Sequence, residues 1–213
     1  MTLKRKILTA QRTLHYAFND YKPITVATSF GKDSMVLTHL VQEVNPEARY
    51  LAVVLDTDFD ETKRYIAEVI QTRQLNCNFY FIEQRKDLPL SMCCTETINK
   101  TLKEGLKQEQ SVIFGLRRDK EVQRDIPYFN NDHELFRVNP IVEFTETDVW
   151  RYLSLNNIQI NPLYRHGYRS LGCQRCSTPE TDIGTERTKI WTKGVGFNKE
   201  LMPWLQRGLE HGL

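Results

Sequence analysis

Three apolar, β-rich runs alternating with two stretches of helical spacing constrain this chain most. The runs "ITVAT" at 24–28, "YLAVVLDTD" at 50–58 and "NFYFI" at 78–82 are separated by "DSMVLTHLVQEV" at 33–44 and "ETKRYIAEVIQTR" at 61–73. Met35, Val36, Leu40 and Val44 fall on one broad side of the first of these helices. Strand, helix, strand, helix, strand at this spacing predicts a parallel sheet covered by helices, an α/β fold. Ligands of such sheets gather at the carboxyl ends of the strands, where residues 29–34 and 56–62 both fall.

The same reading extends in both directions. An amphipathic helix is expected over "LKRKILTAQRTLHYAF" at 3–18, and a helix over 95–110. "SVIFGLRR" at 111–118 reads as a strand entering a basic loop, and "ELFRVNPI" at 134–141 as a strand interrupted by Pro140. "FTETDVWRYLSLNN" opens with Thr145 and, three positions on, Asp148, a helix-start pattern that turns Val149, Trp150 and Leu153 inward. From Asn161 onward the periodicity weakens. One domain over 1–213 is expected, with 161–213 as a C-terminal segment laid over the site.

Charge and hydropathy narrow the classes of partner. The 213 residues carry 29 Lys+Arg against 27 Asp+Glu, a net charge of +2, which does not indicate a nucleic-acid partner. No apolar run approaches a membrane span, and the polar start "MTLKRK" leads into no apolar signal region, so a cytoplasmic protein is expected.

The loop "SFGKDSM" at 29–35 follows the first strand and opens a helix, a natural seat for phosphate. Gly31 permits a tight turn and close backbone approach, Lys32 can neutralise phosphate oxygens, and Ser29 and Ser34 can donate hydrogen bonds. Asp33 can hold a divalent cation. This is not the P-loop pattern, because its first glycine is missing and Lys32 precedes Asp33. "LDTDFDET" ends the next strand and crowds Asp56, Asp58, Asp60 and Glu61 beside the loop, so Mg²⁺ or hydrogen bonding is needed beside a phosphate; a solvated helix cap is the alternative.

The cysteines fall as Cys77, the adjacent Cys93 and Cys94, and Cys173 with Cys176. Four thiolates in two close pairs suit Zn²⁺ or an iron-sulfur cluster, with buried thiols or a Cys173–Cys176 redox pair as alternatives. Cys77 reads as a packed small hydrophobe. Arg117, Arg118 and Arg124 cluster after a strand, and Arg165, His166 and Arg169 precede the second thiol pair. Arginine forks there fit phosphate or sulfate, although a run of charges is also an ordinary solvated face.

Taken in order, "SFGKDS", "LDTDFDET", "FGLRRDKEVQR", "VNPIVEFTETDVWRYL", "IQINPLYRHGYRSLGCQRC" and "EHGL" resemble the phosphoadenosine phosphosulfate reductase family, within the adenine-nucleotide enzymes with a pyrophosphatase-type loop. The resemblance implies a Rossmann-like, three-layer domain of the adenine nucleotide alpha hydrolase type, a first loop holding nucleotide phosphate with Ser29, Phe30 and Gly31, and Asp56 and the arginines around the anionic end. The cysteines resemble those of the [4Fe-4S]-bearing adenylyl-sulfate reductases, implying Cys93, Cys94, Cys173 and Cys176 as cluster ligands in place of Zn²⁺.

Three departures accompany it. The family's tail segment resembles E-C-G-L, whereas Glu210, His211, Gly212 and Leu213 stand here, so the thiol that attacks the sulfonate sulfur has no counterpart. Lys32, Asp33 and Ser34 keep the half of the loop found in ATP-using relatives, while Phe30 is reductase-like. "DTDFDET" is shorter than the usual segment, and the lysine expected behind the double cysteine has only an offset counterpart in Lys100. The expected function is therefore an ATP- and Mg²⁺-dependent adenylating, pyrophosphate-releasing enzyme of sulfur metabolism, with Lys32, Asp33 and Ser34 in catalysis. The alternatives are a sulfonucleotide reductase lacking the tail cysteine, served by a partner subunit or dithiol donor, and a noncatalytic nucleotide-binding subunit.

Overall fold

The computed structural model describes residues 1–85, 87–89, 92–93, 95–119, 126–132 and 135–179. Cys94, Arg124 and the closing residues 210–213 lie outside them. The elements run α1 (Leu3–Asp20), β1 (Ile24–Ala27), α2 (Lys32–Val44), β2 (Arg49–Leu55), α3 (Asp60–Thr72) and β3 (Asn76–Ile82). A π-helical turn (Thr95–Asn99) leads into α4 (Lys100–Gly105), followed by β4 (Ser111–Ile113), β5 (Phe129–Asp132), β6 (Leu135–Val138), α5 (Glu146–Leu155) and a 3-10 turn (Pro162–His166).

The expected strand-helix alternation is present, and the described strands form one six-stranded sheet in the order β3-β2-β1-β4-β6-β5. Its pairs are parallel except β5 with β6, which is antiparallel. β1 is buried at all four positions, as a central parallel strand flanked on both faces must be. Side chains alternate across the sheet, so Tyr50, Ala52 and Val54 of β2 join the larger core with α1, α2, α3 and α5. Leu51 faces the other way, into a smaller core with Val112, Phe114 and Leu106. Helix α4 approaches that face closely at Gly105, where an added Cβ would stand 3.0 Å from a Leu51 methyl and 3.1 Å from the Tyr80 ring.

Two differences from the sequence-based expectation have physical causes. The helix expected over 95–110 is broken into the π-helical turn and the six-residue α4, and turns follow from Leu106. The apolar run of β3 is not core: it is an edge strand, with Phe79 59% and Phe81 58% exposed. Helix α5 starts as expected, with Thr145 and Asp148 forming a reciprocal capping box. It buries Val149, Tyr152 and Leu153, while Trp150 is half-buried.

β1 has β2 on one side and β4 on the other, so the chain reverses its direction of travel across the sheet at β1. The crevice beyond its carboxyl end is the topological switch point, and the loop at 28–31 sits there.

Candidate functional site

A cavity of about 270 Å³ opens at this switch point. The loop after β1 lines it with Thr28, Ser29, Gly31, Lys32, Asp33 and Ser34. Ile98, Leu102, Phe114 and Leu116 form an apolar wall, and Tyr164, Ser170 and Leu171 close it from the C-terminal segment. An apolar wall and a helix N-terminus lining one cavity suit a nucleoside carrying an anionic group.

The loop is built by hydroxyls and by one unusual backbone position. Ser34 Oγ lies 3.0 Å from Ser29 Oγ and accepts the Ser29 N–H at 3.3 Å, while Thr28 Oγ1 accepts the Phe30 N–H at 3.2 Å. The left-handed residue is Phe30, with φ 54°, and its ring is buried in the main core. Gly31, expected to supply the tight turn, has φ −72° and an extended backbone at the N-cap of α2. The loop thus turns at a core-anchored phenylalanine, because burial of the ring holds a conformation that glycine would otherwise adopt.

Lys32 and Asp33 are both engaged by protein groups. The Lys32 ammonium, almost wholly buried, donates to the Arg169 carbonyl at 2.6 Å and lies 3.6 Å from Glu146. It also stands 5.8 Å and 5.6 Å from the ring centroids of Trp150 and Tyr164, within cation–π range. The Lys32 backbone N–H donates to the Tyr164 hydroxyl at 2.9 Å. Asp33 pairs with the fully buried Arg117 at 2.8 Å, and Arg117 reaches Asp119 at 2.5 Å. Asp119 in turn accepts the Glu146 N–H at the start of α5 at 2.8 Å.

Glu146 accepts from Arg169 through Nε and Nη2. Burial alone would push its carboxyl up, but the Arg169 hydrogen bond and the charges of Lys32, Arg169 and Arg117 more than reverse this and hold it low. Glu146, Trp150 and Tyr164 were missed by sequence reasoning; only the contacts they make across the fold identify them.

The other described arginines of the expected set have partners of their own or are exposed. Arg118 donates to the Ile126 carbonyl at 2.8 Å and pairs with Glu143. Arg165 and His166 are exposed on the 3-10 turn. Asp56 accepts the Gln84 N–H at 2.8 Å, and Asp58 accepts the Leu55 N–H at 2.8 Å. Burial raises the Asp58 carboxyl to about 6, against the Leu55 hydrogen bond. The first acids of "LDTDFDET" therefore brace their own loop and the start of the segment after β3.

Cys93, Cys173 and Cys176 are buried, the latter two packed with Leu55 and against Ile98 of the pocket wall. Gln84 donates to both Cys93 and Cys173. A hydrogen bond from Cys176 holds the Cys173 thiol down at about 5 against burial, helped by Gln84. Three expected ligands thus converge, and buried thiols with a depressed member have the donor chemistry of a thiophilic metal site. Among the described residues no set of three metal-binding side chains is arranged around an ion position, and Cys94 lies outside them. Cys77 is remote on β3, and burial pushes its thiol up to about 11.

These features define an α/β domain of the adenine-nucleotide class, with a pyrophosphatase-type loop at the end of its first strand. Residues 23–179 match the phosphoadenosine phosphosulfate reductase domain, and the chain belongs to that family. It is 32% identical over 202 residues to adenosine 5'-phosphosulfate reductase of Bacillus mycoides (strain KBAB4), covering 85% of each chain. The Bacillus cereus (strain Q1) protein of the same name is 32% identical over 206 residues, covering 87% of each.

Among solved structures, phosphoadenylyl-sulfate reductase from Candida auris, a phosphate complex, superposes with a TM-score of 0.66 at 18% identity, over 83% of this chain and 96% of that one. Candida glabrata FMN adenylyltransferase with FMN and an ATP analogue gives 0.66 at 19% identity, over 91% and 73%. Both confirm the Rossmann-like fold, and the sequence relatives favour the reductase alternative over ATP-dependent adenylation. No described helix is long and apolar enough to cross a membrane.

Proposed function

We propose that this chain is an adenylyl-sulfate reductase-type enzyme of sulfate assimilation, a single nucleotide-binding unit over 1–213 that presents a sulfonucleotide to a dithiol donor. The observation that carries the reading is the engagement of Lys32 and Asp33. The two groups that ATP chemistry would place on phosphate and Mg²⁺ are tied instead to Arg169, Glu146 and Arg117. The reductase-named relatives, matched over most of both chains, support it. On this reading the apolar wall takes the adenosine, and Ser29, Gly31 and Ser34 with the α2 amides that follow Lys32 take the phosphosulfate end. Arg118, Arg124, Arg165 and Arg169 are the candidate cations around that end, with Asp56 bracing the adjoining loop.

The family's tail thiol is replaced by His211, and imidazole does not substitute for a redox-active sulfur. The nucleophile is then the donor's own thiolate. It attacks the sulfonate sulfur, the S–O bond to the nucleotide breaks, and AMP leaves with the bonding pair, giving a donor thiosulfonate. The donor's second thiolate forms the disulfide and releases sulfite; the dithiol is oxidised by two electrons and the sulfur reduced by two.

We further propose that Cys93, Cys94, Cys173 and Cys176 hold a [4Fe-4S] cluster, with Zn²⁺ as the alternative. When bound, it would cross-link the segments around 93 and 173–176 and supply fixed charge beside the pocket.

The test is anaerobic incubation of the full chain with adenylyl sulfate and a reduced dithiol, measuring AMP and sulfite. Equimolar AMP and sulfite are expected, with the rate raised in a His211→Cys variant. Pyrophosphate release from Mg-ATP with no sulfite from adenylyl sulfate would reject the reductase reading in favour of adenylation.

A further inference from the structure

Gln84 touches two of the buried cysteines at once, and nothing in its sequence context marks it. It stands just beyond β3 and is itself buried. Its amide nitrogen reaches the Cys93 sulfur and, at 3.4 Å, the Cys173 sulfur. Its carbonyl oxygen lies 2.6 Å from the Thr57 hydroxyl, and its backbone N–H is fixed on Asp56 at 2.8 Å.

Both ends of this carboxamide have partners. A primary amide has two N–H donors and one carbonyl acceptor. The Thr57 hydroxyl lies against the carbonyl and also bonds Cys173, and the amide nitrogen is the atom that meets both sulfurs. The flipped amide would set a carbonyl oxygen against two sulfurs, which is repulsive once either is a thiolate. Thr57 is itself held, because its carbonyl accepts the Gln174 N–H at 2.9 Å, one residue from Cys173. Asp56, Thr57, Gln84, Cys93 and Cys173 thus form one bonded set joining the loop after β2 to both cysteine segments.

We propose that Gln84 is the positioning residue of the cysteine site: its amide donates to Cys93 and Cys173 and fixes how the two sulfurs are presented to a bound metal. Donors to ligating sulfur strengthen metal retention and raise the reduction potential of a bound cluster, because they offset negative charge on sulfur. The proposal rests on the four-cysteine reading above, and its test separates the two.

Two variants of the full chain, Gln84→Met and Gln84→Glu, are compared with the original after anaerobic reconstitution with iron and sulfide. Loss of iron to a chelator should be about tenfold faster in Gln84→Met, the scale expected for an outer-shell partner. It should be faster still in Gln84→Glu, which sets a carboxylate against the sulfurs, and the reduction potential of that variant should be more negative. A merely structural role would not order the potentials by side-chain charge. In the metal-free protein, the side-chain amide signals of Gln84 in a nitrogen-15 spectrum should move when either Cys93 or Cys173 is replaced by serine. If no protein takes up iron, the cluster reading fails and the amide signals alone decide the role of Gln84. Amide signals indifferent to both serine variants, or equal iron loss in all three proteins, would overturn the proposal.

Discussion

The Arg117 guanidinium lies 2.8 Å from the Asp33 carboxylate with its side chain wholly buried, and reaches Asp119 at 2.5 Å. One cation in the segment after β4 therefore ties the first turn of α2 to the residue that receives the N–H of Glu146 at the start of α5. Removing it strands two carboxylates, one of them deep in the structure. Arg117→Ala should cost about 3–5 kcal/mol, as expected when one partner of a buried pair is lost. Adding Asp33→Asn should recover part of that loss, because it removes the stranded charge. Urea unfolding of the single and double variants measures both, and additive losses would show that the two residues do not interact.

Glu146 makes stability depend on acid. Its folded carboxyl is held below the ordinary value by Arg169, Lys32 and Arg117 against the effect of burial. A depressed carboxyl contributes stability that is fully present above the unfolded pKa of about 4.3 and is lost as pH falls through the lower folded value. Glu146→Gln should therefore be less stable than the original by about 1–2 kcal/mol near pH 7, a range discounted for the partly exposed Arg169. The gap should close between about pH 4.3 and the acid limit. Denaturant midpoints across pH 3–8 give the comparison; a constant gap would assign the loss to shape alone.

Much of the fold is legible in residue order, while the partners of the site are not. β1, β2 and α2 announce themselves because central strands are mostly apolar and the helix between them carries Met35, Val36, Leu40 and Val44 on one broad side. The α5 start is legible for the same local reason, since Thr145 and Asp148 satisfy each other's backbone groups within one turn. β5 was not read: "FNND" has no strand alternation, and its pairing with β6 supplies what propensity does not. The turn from β1 into α2 is legible in the sequence, but the direction of Lys32 depends on Trp150, Tyr164 and Arg169, more than a hundred residues away. Spacing can nominate a lysine for phosphate; only tertiary contacts show what already holds it.

Cysteine substitutions should divide sharply. Cys77 faces the main core with its thiol pushed up to about 11 by burial, so it is a poor ligand as well as a remote one. Cys176 lies with Cys173 in the small buried cluster around Leu55. After reconstitution, Cys77→Ser should retain the iron and sulfide of the original, and Cys176→Ser should lose them. Equal metal content in the two variants would disconnect the converging thiols from metal binding.

Phe30 offers a reversal of the usual order of small residues. Its φ of 54° lies in the left-handed region, which costs an L-residue roughly 1–2 kcal/mol and glycine almost nothing. The ring is 2% exposed and anchors the loop in the main core, so cutting it back to Ala should cost about 3–5 kcal/mol. Phe30→Ala loses the ring and keeps the strain, whereas Phe30→Gly loses the ring and releases it. At an ordinary position glycine is the less stable of the two by roughly 0.5–1 kcal/mol. Here Phe30→Gly should equal or exceed Phe30→Ala in stability while both fall well below the original. Thermal unfolding of the pair decides it: Ala more stable than Gly by the ordinary margin would mean the loop does not hold this backbone in solution. Nucleotide titration should then show weaker binding in both, because Ser29 and Gly31 flank the lost anchor and line the pocket.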